Sequence, residues 1–393
     1  MLVPLQAAER ARRLKEGQAA GKVQIGEKSQ TMKKVQEMKK EPRFTKRDTL
    51  VVKGIAILLM LFYHLFESGE LLDTLNVDHR PFSQDTFLML SGFGNICVAL
   101  FVFLSAYGIT KGLSAEESGE TYDLCAALRG AWKRGLKLIG SFVVMYISVN
   151  LLWFSYFDYG KLYGSGWQGG MFGLLDMLGL ANIFDTPTLN MTWWYMETAL
   201  VIIFLIPLVY PAVKKAGRYL ILPALLLPSV VQMDGDMARY YLVMLLGAVA
   251  AREGWLEKIL TWKLKKCWKA LLGLILLVLA VLVRQNFMVH SYFLWILDGP
   301  IALFLCWFAA EMLAGIPGLS QILAFLGRYS MNMFFVHTFF YMSLFREFIY
   351  SFRYAGLIFL VLTGVSLSYS IVLELIKSGG KLLFAHFYKK AHI

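Results

Sequence analysis

One apolar run, Leu50 to Phe66, constrains the fold of this chain more than any other feature. It is long enough to cross a bilayer as a helix, which takes roughly 17–25 residues. Two of its members, Lys53 and His64, are nevertheless ionisable. Because ionisable side chains are costly inside a membrane, they normally face a protein interior or a watery cavity and have a function there. The run therefore predicts a membrane-spanning helix with one functional face.

Lys53 and His64 lie eleven positions apart. At ~100° per residue, this spacing places both side chains on one face of the helix, about 16 Å apart along its axis. Glu67 is predicted to continue that face one turn beyond His64. Each residue alone has a simpler explanation, since Lys53 could snorkel to the cytosolic surface and His64 could bond a neighbouring carbonyl. The alignment of the two favours a functional role.

The composition is that of a membrane protein. Hydrophobic residues make up 58% of the chain and charged residues 17%, which is more apolar surface than a soluble domain can bury. The formal charge of +12 does not indicate a nucleic-acid-binding protein, because the basic residues lie in the tails and in alternate loops. The 4 cysteines lack zinc-ligand or redox spacing, so we expect free thiols and no metal site.

The chain is predicted to be an all-α polytopic membrane protein with about ten transmembrane helices. Residues 1–48 form a basic tail, expected to be disordered and cytosolic, and residues 379–393 form a basic cytosolic C-terminal tail. The membrane domain covers 49–378, and its fifth and sixth apolar segments are short enough to form a single hairpin. The apolar segments are 50–66, 96–111, 137–157, 192–212, 218–232, 238–251, 267–284, 291–312, 329–346 and 354–377.

The distribution of basic residues predicts the orientation. Of the 39 Lys and Arg, 32 fall in segments assigned to the cytosolic side, six fall outside, and Lys53 is the remainder. This bias predicts that both termini are cytosolic. Two long outer loops, 67–95 and 158–191, then suit a site for a polar extracytoplasmic molecule. Within the second loop, Met171 to Phe184 is predicted to form a helix at the membrane interface.

The first helix, K-GIAILLMLFY-H, resembles the hallmark of the acyltransferase-3 family, an Arg or Lys followed by ten residues and a His. The fourth helix, with a Trp pair followed by Glu197, resembles the family's W-x-L-x-x-E helix with a shorter spacing. The second and ninth helices resemble further segments of the family. In the second helix the matching residues are Gly94, Phe101, Phe103 and Ser105, and in the ninth they are Gly327, Ser330 and His337.

This resemblance implies a multi-pass acyltransferase of the plasma membrane. The donor would be an acyl-CoA with a short acyl group such as acetyl, and no other cofactor is expected. The acceptor would be a hydroxyl of a cell-surface glycan or of its lipid-linked precursor. The predicted site consists of His64 as the catalytic residue, Lys53 as the donor-binding residue, and Glu67, Ser105, Trp194, Glu197 and His337 as further lining residues.

The residues themselves allow this chemistry. A neutral imidazole is the natural base for a hydroxyl near neutral pH, and a cation at the cytosolic end of the helix suits the phosphates of CoA. Whether His64 acts directly on the acceptor or becomes acylated is left open. A transporter or flippase is one alternative, and a non-catalytic membrane sensor with the same fold is another. No role is predicted for Asp298 and Glu374, the remaining buried carboxylates.

Overall fold

The computed structural model describes residues 44–116, 122–230, 235–287 and 291–391. Most of the predicted disordered tail therefore lies outside the described residues. One compact unit spans Phe44–Leu256 and Lys263–Ile393, and Glu257–Trp262 belongs to a second unit. The larger unit contains every predicted site residue, and the description below concerns that unit.

The named elements of the described residues are all helical, which confirms the predicted all-α class. One isolated β-bridge joins Asp78 to Tyr354. The α-helices are α1 (Lys46–Leu65), α2 (Gly69–Thr74), α3 (Gln84–Phe93), α4 (Cys97–Glu116), α5 (Leu124–Trp153), α6 (Tyr159–Tyr163), α7 (Gly166–Met177), α8 (Trp194–Ala216), α9 (Ile221–Val230), α10 (Gly235–Glu253), α11 (Trp255–Leu260), α12 (Lys266–Phe287), α13 (Ser291–Phe308), α14 (Leu319–Thr338), α15 (Arg346–Tyr350) and α16 (Ala355–Ala391). Wider π-helical turns follow α13 at Ala309–Leu313 and α14 at Phe339–Leu344.

Helix α1 begins and ends at identifiable residues. Thr45 and Asp48 form a capping box, in which the Thr45 side chain accepts from the Asp48 N–H and the Asp48 carboxylate accepts from the Thr45 N–H. The helix therefore starts at Lys46, inside the predicted tail. It ends at Leu65, so the prediction that Glu67 continues its helical face was wrong.

Seven helical segments of the described residues are long and apolar enough to cross a membrane. This finding supports a multi-pass membrane protein. Helices α10 and α14, which the sequence also predicts to span, are not among the seven. The total of ten spans and the cytosolic termini remain predictions. The segments are Lys46–Leu65, Gln84–Glu116, Leu124–Tyr156, Met191–Leu227, Lys266–Asn286, Leu294–Leu313 and Ala355–Gly380.

The outer loops contain more helix than predicted. The segment 67–95 holds α2 and α3. The interfacial helix expected over Met171 to Phe184 is displaced towards the N-terminus, because α7 ends at Met177 and Gly179 then takes a positive φ of 70°. At the other end of the chain, α16 continues to Ala391 through the predicted C-terminal tail.

The closest helix packing in the core joins α1 and α14. A Cβ added at Gly54 would collide with the backbone carbonyl of Leu323, and one added at Gly327 would collide with that of Leu50. Small residues of this kind let two helix backbones approach closely in a membrane. This packing places one face of α1 against one face of α14. The sequence-predicted face of α1 thereby becomes part of the protein interior.

Candidate functional site

Lys53 opens onto a cavity of about 190 Å³ between α1, α4, α5, α8 and α14. Its ammonium group has no hydrogen bond or ion pair with any residue that the structure describes. A partly buried cation is costly unless an anion compensates it, so the cavity is suited to an anionic ligand. The other lining residues are Phe101, Ser105, Leu138, Tyr195, Ala199, Ile203, Ser330, Met331, Phe334 and Phe335.

Ser105, which the sequence predicts as a lining residue, is among the residues of this cavity. Its hydroxyl is hydrogen-bonded to that of Tyr195. Tyr195 was not predicted, although it directly follows the Trp pair that the sequence singled out. The hydroxyls of Ser105, Tyr195 and Ser330 are the polar groups of an otherwise apolar wall, where they can contact a polar part of a bound ligand.

His64 faces His337, and their ring centroids are 5.0 Å apart with an angle of 45° between the planes. His337 is completely buried, whereas the His64 side chain is 23% exposed. The structure thus brings together two histidines that are distant in sequence. Tyr341 completes the group, because its ring stacks on His337 at 5.9 Å. Tyr341 lies in the π-helical turn after α14, and no local pattern predicts such a turn.

The hydrogen bonds of His337 define its tautomer. Its Nδ1 lies 2.7 Å from the carbonyl oxygen of Phe334, so Nδ1 carries the hydrogen and Nε2 carries the lone pair. Nε2 is buried and has no hydrogen-bond partner among the residues described. A buried polar atom without a partner costs about 1–3 kcal/mol. An unpaired acceptor beside a second histidine is therefore a candidate contact for a substrate.

Glu67 lies just beyond the C-terminal end of α1, beside the histidine pair. One of its carboxylate oxygens is 3.8 Å from His64 Nδ1, and its side chain is exposed. Although Glu67 lies outside α1, the turn at Phe66 returns it towards His64. Glu67, a predicted lining residue, therefore places a carboxylate beside His64 although it lies outside α1.

Trp194 and Glu197 are not among the residues that line the Lys53 cavity. Trp194 instead stacks on Tyr240 at a centroid distance of 6.1 Å. Glu197 is half-buried in the first turn of α8. The neighbouring Trp193 is the buried member of the Trp pair, and its indole N–H donates to the carbonyl of Phe335 at 3.0 Å. Trp193 therefore anchors the start of α8 to α14, and Trp194 contacts α10.

Asp298 is fully buried and pairs with Arg284, whose Nε donates to Asp298 Oδ1 at 2.8 Å. Arg284 itself is fully buried. Arg239 joins the cluster through a bond to Asn95 Oδ1 at 2.5 Å. Asn95 is also bonded to the hydroxyl of Tyr63, the neighbour of His64. This network braces α1 against α12 and α13.

Glu374 is not buried, contrary to the prediction, because 43% of its side chain is exposed. It accepts hydrogen bonds at 2.9 Å from Asn332 and from Lys377. Lys377 also donates to Ser141 at 2.6 Å. The residues belong to α5, α14 and α16, so this cluster joins three helices. Its fully bonded arrangement indicates a structural role.

Asp176 organises the second of the two predicted outer loops. Its carboxylate accepts hydrogen bonds from the hydroxyls of Tyr163 at 2.6 Å and Thr188 at 2.7 Å, and from the Leu189 N–H at 2.7 Å. Burial raises the pKa of Asp176, and these hydrogen bonds act in the opposite direction. The bonds fasten α7 to the segment that enters α8.

The described residues contain no group of three or more His, Cys, Asp or Glu that could hold a metal ion. Cys97, Cys125, Cys267 and Cys306 are all free thiols, and the first and last of them are buried. The described site presents a cation at Lys53 and two imidazoles at the histidine pair.

A family model described as an acyltransferase domain matches residues 51–375. Neither a search of curated proteins nor a search of solved structures finds a match. The matched region contains α1 with Lys53 and His64, and it extends through α14 to most of α16. Because this match covers well over half of the sequence, the chain belongs to the acyltransferase-3 family of integral-membrane acyltransferases.

Proposed function

We propose that this membrane acyltransferase moves a short acyl group, such as acetyl, from acyl-CoA to a hydroxyl of a cell-surface glycan or its lipid-linked precursor. The plasma membrane is the proposed location. The observation that carries the proposal is the Lys53 cation. It lines a cavity and has no anionic partner among the described residues. The same helix, α1, carries His64 near its other end, where His64 meets His337. A long donor with phosphates at one end fits this arrangement.

In this proposal the phosphate end of acyl-CoA lies near Lys53. The ammonium group then gains the anion that the described protein residues do not supply. The pantetheine arm follows the apolar wall past Ser105 and Tyr195, whose hydroxyls contact its polar groups. The thioester comes to lie about 16 Å deeper along α1, beside His64.

The transfer itself requires one proton to move. The acceptor oxygen attacks the thioester carbonyl carbon, a C–O bond forms, the C–S bond breaks, and the hydroxyl proton is transferred to the leaving sulfur. An imidazole that accepts and returns the proton is suited to this task. His64 is the proposed catalytic residue, either as a proton-transfer group or as an acyl carrier.

The proposed acceptor arrives from the outer side. A second cavity of about 270 Å³ lies among residues of the second outer loop and the turn after α14, and its mixed lining supports binding of a molecule with both polar and apolar surface. Its lining residues are Phe157, Leu189, Asn190, Met191, Thr338, Phe339, Met342 and Ser343.

Replacement of His64 tests the proposal. Gln can form a hydrogen bond but cannot accept a proton, so His64→Gln and His64→Ala should both lower acyl transfer by about 10²–10⁴-fold. The measurement is transfer of labelled acetyl from acetyl-CoA to a panel of glycans, normalised to monodisperse protein. His79→Gln is the matched control, because His79 is a half-buried histidine outside the site whose Nδ1 bonds the Phe82 carbonyl.

Near-wild-type turnover in His64→Gln would remove His64 from the mechanism. A wild-type protein that neither transfers nor hydrolyses any acyl-CoA would favour the non-catalytic sensor instead.

A further inference from the structure

The two histidines of the site have different surroundings. His64 is partly exposed and has the Glu67 carboxylate 3.8 Å from Nδ1. His337 is fully buried, and the ring of neutral Tyr341 stacks on it. No carboxylate forms an ion pair with His337 among the residues described. Two titratable groups whose environments favour opposite charge states commonly act as the acid and the base of one reaction.

Of the two histidines, His64 is the one with a carboxylate beside it among the residues described. The Glu67 carboxylate stabilises a positive charge there, and partial exposure lowers the cost of that charge. At His337, burial disfavours a permanent charge. The contact with Glu67 and the partial exposure therefore suit His64 to the role of proton donor.

His337 has the lone pair that a base requires. Its Nδ1–H donates to the Phe334 carbonyl, so its Nε2 is an acceptor. That acceptor is buried and has no partner in the described part of the chain. A hydroxyl group of a bound molecule is the complementary donor.

We propose that the two histidines divide the proton transfers of the reaction, with His337 as the general base for the acceptor hydroxyl and His64 as the general acid for the leaving thiolate. This inference rests on the function proposed above. It resolves the open role of His64, and it assigns His337 a direct contact with the acceptor.

The step balances without an additional reactant. The hydroxyl O–H bond breaks and its proton moves to His337 Nε2, while the oxygen forms a bond with the thioester carbon. The C–S bond breaks, and the sulfur takes the proton held by His64. The proton on His337 then returns to His64, whose ring centroid is 5.0 Å away. Both histidines are thereby restored for the next turnover.

The experiment compares His337→Gln and His337→Ala with the wild type in the full-length, detergent-purified protein. Both variants should lower acyl transfer by about 10²–10⁴-fold. Acetyl-CoA affinity should change by no more than about threefold, because His337 is assigned to the acceptor and not to the donor. Ser366→Ala is the matched control, because Ser366 Oγ is also buried without a described partner but lies on α16 outside the site. It should retain wild-type transfer.

Chemical rescue separates a base from a structural residue. Imidazole and substituted imidazoles added to His337→Ala should restore transfer, and the restored rate should rise with the basicity of the added compound. A side chain that only fills space would show no such dependence.

Transfer by His337→Gln above about a tenth of the wild-type rate would overturn the inference. So would an inactive His337→Ala that is monodisperse, binds acetyl-CoA and shows no basicity-dependent rescue. A wild type without transfer activity would overturn the proposed function as well, whereas an active wild type beside an active His337→Gln would overturn only the division between the histidines.

Discussion

Gly54 packs directly against the backbone of Leu323, with no space for even a methyl group between α1 and α14. Gly327 makes the reciprocal contact with the backbone of Leu50. His64 and His337 each follow one of these glycines by ten residues. Because the two helices approach at the glycines and run in the same direction, the histidines meet at the same level further along.

Substitution of either glycine should therefore separate the histidine pair. Gly54→Ala and Gly327→Ala each introduce a clash with backbone, which a flexible side chain cannot relieve, and overpacking of this kind costs about 1–3 kcal/mol. We expect a lower Tm and lower acyl transfer, measured on the same preparations. Gly364→Ala is the control, because nothing lies within 4 Å of the added Cβ. Wild-type activity in both glycine variants would show that the close approach is not required.

Lys53→Ala should weaken acyl-CoA binding, because the variant removes the cation assigned to the phosphates. Lys53→Arg should retain much of the affinity, since a positive charge remains although its geometry differs. Binding of acetyl-CoA to purified variants is the measurement. Lys46→Ala, at the exposed start of the same helix, controls for a general loss of charge. Unchanged binding in Lys53→Ala would mean that Lys53 only snorkels to the surface.

Asp298→Asn should destabilise the protein strongly. It leaves Arg284 buried without its counter-charge, which typically costs about 3–5 kcal/mol. The measurement is the yield of monodisperse protein together with its Tm. Asp78→Asn is the contrast, because Asp78 pairs with exposed Arg80, whose hydrogen bonds lower the pKa of Asp78 to about 2. Surface ion pairs contribute little to stability, so this variant should lower the Tm much less than Asp298→Asn.

The combined Arg284→Leu and Asp298→Leu variant sharpens this test. An apolar pair of similar volume removes the buried charge altogether, so it should be more stable than Asp298→Asn alone. If the single and double variants were equally unstable, the ion pair would not be the reason for the loss.

Two native cysteines test the predicted orientation. Cys125 and Cys267 are exposed and lie in segments predicted to be cytosolic, whereas Cys97 and Cys306 are buried. A membrane-impermeant maleimide added to intact cells should label none of them. Labelling should appear once the membrane is opened, because the reagent then reaches the two exposed thiols.

Added cysteines complete the orientation test. Glu70→Cys and Lys161→Cys introduce exposed thiols into the two predicted outer loops, and both should react in intact cells. Labelling of Cys267 in intact cells would contradict the helix count or the orientation.

The sequence alone determined the class of the protein and the content of α1. Hydropathy, the distribution of basic residues and the spacing of Lys53 and His64 are properties of single segments, and an α-helix converts such spacing directly into a shared face. Those features do not depend on which helices become neighbours. For the same reason, the motif of α1 was sufficient to indicate the family.

The tertiary structure alone decided which side chains meet. His337 became the partner of His64, Arg284 and Asp298 formed a buried ion pair, and Trp194 stacked on Tyr240 away from the Lys53 cavity. Such outcomes depend on the packing of helices that are far apart in sequence, where close contacts such as that of Gly54 select one arrangement. The position of Tyr341 further depends on a π-helical turn, which interrupts the helical period on which sequence-based prediction relies.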